Sequence, residues 1–143
     1  KIINHDFTKF KNNKKYDCII IDAPCSAIGT IRRNPEIFFK NKKPDFFTLN
    51  LIQKKMLEKA SLLLNTGGLI LYMVCSFLKR ETEDQISSFL KANDNFKLYN
   101  FELKISNEEC SKLIKNNVMI TLPDTIHNHN IDGYFAAYLK KIR

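Results

Sequence analysis

Tyr16-Asp17-Cys18-Ile19-Ile20-Ile21-Asp22-Ala23-Pro24-Cys25-Ser26-Ala27-Ile28-Gly29-Thr30-Ile31-Arg32-Arg33-Asn34-Pro35 is the stretch whose reading decides the fold. The run Cys18–Ile21, rich in β-branched residues, reads as a strand buried on both faces, the kind found inside a parallel sheet. Pro24 has no N–H for a ladder, so the strand ends there. Ligands of α/β proteins bind beyond the carboxyl ends of such strands. Asp22 and Cys25, an acid and a thiol, therefore stand at a favoured position for chemistry.

Downstream, Phe46, Leu49, Gln53, Met56, Leu57, Ala60, Leu63 and Leu64 recur at helical spacing. Asp45 after Pro44 opens this helix, and Asn65-Thr66-Gly67-Gly68 stops it. Leu69–Ser76 then reads as a second buried strand, ending in a second cysteine, Cys75. Strand, helix and strand at this spacing predict a right-handed crossover with the two strands parallel. As neighbours they would lie about 4.8 Å apart, and Cys25 and Cys75 would open onto one cleft. Core packing is the expectation for Cys18, inside its strand, and for Cys110.

Elsewhere the signals are weaker. Lys1–Asp6 looks like the tail of a strand delivering Asp6 to a loop; a lone Asp there is usually a turn former or cap. Thr8–Lys15 is a solvated basic connection. Gly29 permits a tight backbone excursion, and the adjacent Arg32 and Arg33 can grip phosphates, although paired arginines are often only surface charge. Lys79–Asp84 begins a helix with acids in its first turn, a buried stripe of Ile86, Phe89 and Leu90, and an end at Asn93. Phe96–Lys104 suits a strand and Glu108–Lys115 a short helix. Val118–Pro123 and Gly133–Leu139 are the last strands, the second closing the sheet in a hairpin-like return. His127 and His129 lie at i, i+2 in the polar segment between them, with no further ligands placed beside them, so no metal site is expected.

With 143 residues the chain fits one domain with a sizeable core. No apolar run approaches the roughly 18 residues of a membrane-spanning helix. It begins without Met, in an apparent strand end, and is expected to be part of a longer protein. Four cysteines without a disulfide-scaffold density suggest a reduced, cytoplasmic setting. The net charge of +8 points to a polyanionic partner, although Lys, Asn and Ile are abundant throughout.

Asp22-Ala23-Pro24-Cys25-Ser26, then Gly29 with Arg32-Arg33-Asn34-Pro35, Tyr72-Met73-Val74-Cys75-Ser76 and Asp132-Gly133-Tyr134-Phe135 together resemble the Sun/NOP family of RNA (cytosine-C5) methyltransferases, nearest to its bacterial ribosomal RNA members. The resemblance runs from Asp6 to the carboxyl end. Val74 stands where the family usually has Thr. The family's Gly-rich cofactor loop, its ribose-binding acid and its first two strands would lie before Lys1. The resemblance implies an α/β, Rossmann-like S-adenosylmethionine-dependent methyltransferase fold, incomplete at its N-terminal side. Its sheet would be mostly parallel with an antiparallel C-terminal strand, and residues 1–143 would be the C-terminal portion of the catalytic domain.

The resemblance also implies roles. Carbon 5 of cytosine is a poor nucleophile until a thiolate adds at carbon 6, and a base must later remove the carbon 5 proton. Cys75 matches the nucleophile, Cys25 the thiol that assists proton removal and product release, and Asp22 an acid touching both cofactor and base. Asp6, Asp22 and Pro24 match cofactor positions for S-adenosylmethionine. Arg32, Arg33, Lys42 and Lys43 are candidate RNA contacts. The nucleophile needs a depressed pKa, for which Lys79, Arg32 and Arg33 are candidate cationic neighbours. The partners implied are RNA, with no membrane and no metal. Two rivals are a non-catalytic RNA-binding fragment without the cofactor loop and a thiol enzyme that uses no RNA; the Asp-Ala-Pro-Cys loop with its Arg-Arg continuation argues against the second.

Overall fold

A computed structural model describes residues 1–100, 112–126 and 129–143. Strand β1 spans Tyr16–Asp22, helix α1 Phe46–Leu63, strand β2 Leu64–Val74, helix α2 Glu83–Ala92 and strand β3 Phe96–Tyr99. Short strands β4 (Ile114–Lys115), β5 (Val118–Thr121), β6 (Asp124–Ile126) and β7 (His129–Ile131) precede the long last strand β8, Tyr134–Lys141.

β1 and β2 pair in parallel, with Cys18 opposite Leu69 and Asp22 opposite Met73. β8 lies antiparallel to β2 on its other side. The far edge of β8 is shared: β3 pairs along Tyr138–Lys141 and β5 along Tyr134–Ala137. β1, β2, β3 and β5 therefore run one way, while β8 and the short β4 run against them. This is the expected α/β sheet of mostly like-directed strands with a reversed C-terminal strand. β6 and β7 form a separate two-stranded ladder.

α1 begins where the sequence suggests, with the Asp45 carboxylate accepting from the Thr48 amide at 3.1 Å and satisfying a free donor of the first turn. It ends at Leu63, just before the expected stop at residues 65–68, and passes straight into β2, so residues 64–68 are already strand and not a loop. Gly67, at φ +82, lets this segment bulge as its register with β1 shifts. Alternation along β2 sends Ile70, Tyr72 and Val74 to one face, where they pack with Leu57 and Ala60 of α1, Ile86 and Phe89 of α2, and Phe135, Ala137 and Leu139 of β8.

Several expectations are corrected. β1 is a sheet edge and is not buried on both faces: Ile21 is 2% exposed but Ile20 is 65% exposed. Cys18, on the same face as Ile20, is exposed and not a core cysteine, because among the described residues no layer covers that face. Lys1–Asp6 is irregular and exposed instead of strand. Lys112 and Leu113 lie in a turn, and Ile114–Lys115 is strand paired with β5, so no helix reaches Lys115; Cys110, His127 and residues 101–111 lie outside the described residues. Among those described, no helix is long and apolar enough to cross a membrane.

Leu57 is fully buried between α1 and the sheet, whereas Leu62 on the same helix is 63% exposed. Leu57→Ala is expected to lower unfolding free energy by about 3 kcal/mol, and Leu62→Ala by no more than about 0.5 kcal/mol, as read by urea denaturation.

Candidate active site

The parallel pair ends its two strands at the same edge of the sheet. The Ala23 amide still donates to the Met73 carbonyl at 3.0 Å, and Pro24 then turns the chain out of the ladder. Past β2, Cys75 leaves Val74 at the same level. The Cys25 and Cys75 sulfurs stand 3.3 Å apart, within reach of one substrate atom. The close approach expected of the two cysteines is present.

The loop beyond Cys25 is shaped by two features. Ala27, not Gly29, takes the left-handed conformation, at φ 59, and its amide donates toward the Cys25 sulfur. Gly29 matters through close approach: its amide donates to the Cys75 carbonyl at 3.0 Å and its carbonyl accepts from the Gly133 amide at 2.8 Å. A Cβ on Gly29 would come within 1.9 Å of the Gly133 oxygen, so only glycine fits. Asp132, beside Gly133, receives both arginines: Arg32 at 3.4 Å and Arg33 at 2.5 Å. The Asp-Gly-Tyr-Phe segment is thus locked to the loop after Cys25.

Beneath the sulfurs lies a carboxylate that the sequence did not single out. Glu81 sits in a 3-10 turn, Lys79–Glu81, between β2 and α2, and is completely buried. It accepts from the Ser26 amide at 2.8 Å, the Ser26 hydroxyl at 2.6 Å, the Ser76 hydroxyl at 2.6 Å and Gln53 Nε2 at 3.4 Å. Tyr72, from β2, donates to its backbone carbonyl at 2.8 Å. Gln53 also donates to the Pro24 carbonyl at 2.9 Å. The available signals were a glutamine on the core face of α1, which requires a polar partner inside, and a serine directly after each cysteine.

Burial, the neighbouring Cys75 sulfur and the Glu81 charge push the Cys25 thiol from an ordinary 9.0 up to about 12, against a smaller lowering by the Ala27 amide. Cys25 therefore holds its proton at neutral pH and can donate it toward Cys75. Burial is also the main cause raising Tyr134, with the charges of Asp22 and the two cysteines adding to it; its hydroxyl lies 3.5 Å from Asp22.

The other expected site residues divide. Asp22 is exposed at the end of β1, and among the described residues its carboxylate meets this long Tyr134 contact alone, which leaves it open to a ligand. Asp6 is exposed and caps the 3-10 turn Phe7–Lys9; the Thr8 hydroxyl and then the Thr8 amide hold it below the usual carboxylate range. Lys42 lines a cleft of about 360 Å³ together with Cys25, Ser26, Ala27, Ile37, Lys40, Pro44, Asp45, Thr48 and Leu49. Lys43 is exposed in the same loop. Lys79 is exposed and, among the described residues, makes no side-chain hydrogen bond in the site, and Arg32 and Arg33 are committed to Asp132. Among the described residues no three His, Cys, Asp or Glu side chains gather as metal ligands.

A mixed α/β sheet whose one parallel pair delivers two thiols to a single point defines an α/β protein with a dithiol centre at the carboxyl edge of its sheet. A model of the family described as 16S rRNA methyltransferase RsmB/F matches residues 1–140, and the chain belongs to this family of RNA methyltransferases. It is 36% identical over 128 residues to ribosomal RNA small subunit methyltransferase B of Shewanella oneidensis, covering 90% of this chain and 28% of that protein. It is 34% identical over 151 residues to the 25S rRNA (cytosine-C(5))-methyltransferase nop2 of Schizosaccharomyces pombe, covering 99% of this chain and 25% of that one. The chain thus spans about a quarter of the length of these curated relatives. In fold it is similar to NSun6 from Pyrococcus horikoshii, solved with SFG, at a TM-score of 0.78 and 24% identity over 100% of this chain and 35% of that one. A methyltransferase homolog from the same organism gives 0.63 and 26% over 90% of this chain and 40% of that one. The Sun/NOP resemblance read from the motifs is borne out.

Because the folded state retains a Cys25 proton that the unfolded chain releases at lower pH, the sign is fixed: stability is complete below pH 9.0 and falls as pH rises from there toward 12. Urea denaturation at pH 8, 9 and 10.5 should show this fall, and Cys25→Ala should make it shallower.

Proposed function

We propose that residues 1–143 form the C-terminal portion of a catalytic domain that transfers a methyl group from S-adenosylmethionine to carbon 5 of a cytosine in RNA, ribosomal RNA foremost, through a covalent cysteine–cytosine intermediate, in the cytoplasm. The observation that carries this reading is the 3.3 Å approach of Cys25 and Cys75 in a chain of the RsmB/F family. A single thiol could add to a base; a second, protonated one at contact distance suits a reaction that must also move a proton and release the product.

In this reading the Cys75 sulfur bonds to carbon 6, and the electrons of the 5,6 double bond move onto carbon 5. The Cys25 S–H faces the Cys75 sulfur and stabilises negative charge there. Once carbon 5 carries the methyl group, its proton must leave. For the Cys25 sulfur to take it, its own proton must first pass to water; the thiolate left behind is a strong base because its pKa is high, and it ends the step protonated again. Loss of this proton restores the double bond and expels the Cys75 sulfur. S-adenosylmethionine, when bound, supplies the methyl group as a sulfonium. The residues fit it in part: Asp22 and Pro24 would line its methionine side with an open carboxylate, and Asp6 would meet the adenine with a carboxylate already held by Thr8. The exposed edge of β1 supports completion of the sheet by further strands.

The target cytosine has to leave its stack to enter such a site, which favours single-stranded or looped RNA. Lys40 and Lys42, on the rim of the cleft beside Cys25, would hold its phosphates, with Lys43 next to them.

With RNA and labelled methyl donor, Cys75→Ala should abolish both methyl transfer and any covalent RNA adduct. Cys25→Ala should accumulate a protein–RNA adduct stable to denaturing gels, because addition proceeds while elimination stalls. Activity retained in Cys75→Ala would reverse the assignment.

RNA affinity should fall with salt, and Lys42→Ala should reduce the log–log slope by about 0.7, the value for one phosphate of a single strand. Arg32→Ala should change it less, since Asp132 already neutralises part of that charge. Filter binding between low and moderate salt measures both.

A further inference from the structure

Beyond Asp22 and Val74 the ladder between β1 and β2 ends, and two separate loops must still bring their cysteines to 3.3 Å. Ser26 directly follows Cys25 and Ser76 directly follows Cys75. Both hydroxyls donate to the same oxygen, Glu81 Oε2, each at 2.6 Å. The other oxygen takes the Ser26 amide and Gln53. We propose that Glu81 is the positioning residue of the dithiol centre: by gathering the serine after each cysteine onto one buried carboxylate, it fixes Cys25 and Cys75 against each other.

The donor set makes this specific to a carboxylate. All four groups donate, and an ionised carboxylate is the side chain that only accepts, at two oxygens. A glutamine of equal size would turn an NH2 toward donors on one side. An aspartate, one methylene shorter, would have to give up one serine to keep the other. Glu81 is itself anchored from β2, through the Tyr72 hydroxyl on its carbonyl, so the clamp is referenced to the sheet and not to either loop. Among the described residues no cation pairs with it, so its charge stays in the site and opposes ionisation of Cys25, in line with the upward direction of that group. The other titratable groups facing Cys25 are Cys75, Tyr72 and Tyr134.

The catalytic consequence rests on the reading of the two cysteines given above; the clamp itself does not, and its test uses neither RNA nor methyl donor. Phenylarsine oxide bridges two thiols through one arsenic with loss of water, and so reports how well a thiol pair is held. In a Cys18→Ser, Cys110→Ser background, Cys25 and Cys75 should bind one equivalent. Glu81→Gln should weaken that binding at least about tenfold, the scale of losing charge-assisted buried hydrogen bonds, while the far-ultraviolet circular dichroism stays that of the folded chain. Glu81→Asp should recover part of the loss. Ser26→Ala and Ser76→Ala should each weaken binding less than Glu81→Gln, and together approach it. A merely structural role would lower the melting temperature and leave the arsenical affinity of the folded variants unchanged; that result would overturn the proposal. Should Glu81→Gln not fold, the double serine variant decides alone: unchanged affinity overturns the clamp and a loss supports it.

Discussion

The in-register parallel pairing of β1 with β2, Asp22 opposite Met73, is the constraint on which the rest depends. Parallel neighbours about 4.8 Å apart end at one edge of the sheet, so whatever follows each strand meets there. α1 supplies the crossover that parallel pairing demands, and its buried Leu57 and Ala60 hold the pair against the sheet core. Pro24 and Cys75 then take the two chains out of the ladder side by side. Gly29 and Gly133 close the site from the other direction, at a separation no Cβ would allow. Each later contact, including the approach of the sulfurs, presupposes that register. A slip by one residue would turn every side chain of β1 to the opposite face.

Against this frame the site runs on an unusual electrostatic arrangement. A completely buried carboxylate ordinarily requires a cation or several hydrogen bonds. Glu81 has the second: two hydroxyls, one amide N–H and one side-chain amide. Solvating an acid with neutral donors leaves its full charge in place, beside a half-buried thiol. The cost falls on the charged form of Cys25, which stays protonated. Burial is the larger cause of the rise in its pKa, and the carboxylate charge adds to it.

Much of this frame was legible because it rests on local rules. The proline after an isoleucine run, the Asp45 cap and the helical spacing of α1 are near-neighbour signals, and each element they suggest is present. The burial of β1 was not legible, since an isoleucine run reports affinity for a core without reporting which layers cover it; Ile20 and Cys18 are exposed because no layer lies over them among the described residues. Glu81 escaped for a different reason. In sequence it belongs to an acidic stretch that opens α2, and Glu83 and Asp84 do serve that purpose. Only the tertiary fold sets Glu81 apart, by turning it inward onto serines 55 and 5 residues away. Ala27 is similar: nothing in the residue type announces a positive φ, which the closure of Gly29 against Gly133 and the amide contact to Cys25 impose from outside.

The arginine pair shows how far a charge count can be taken. A net charge of +8 and two adjacent arginines beside an active-site loop invite the reading that those arginines meet phosphate. Both instead converge on Asp132, a residue 17% exposed, about a hundred positions away in sequence. Their first task is to tie the loop after Cys25 to the link before β8 that carries Gly133, and a bound acid cancels much of their field. Positive charge also lies with Lys40 and Lys42 on the rim of the Cys25 cleft, where lysine is a flexible point charge and arginine would be a fixed fork. Near the sulfurs the charge is instead that of Glu81, held by neutral donors, and it adds to the burial that keeps the Cys25 proton in place. Arg32 and Arg33 are thus paired with Asp132 while staying partly exposed, whereas Lys40 and Lys42 line the cleft beside Cys25.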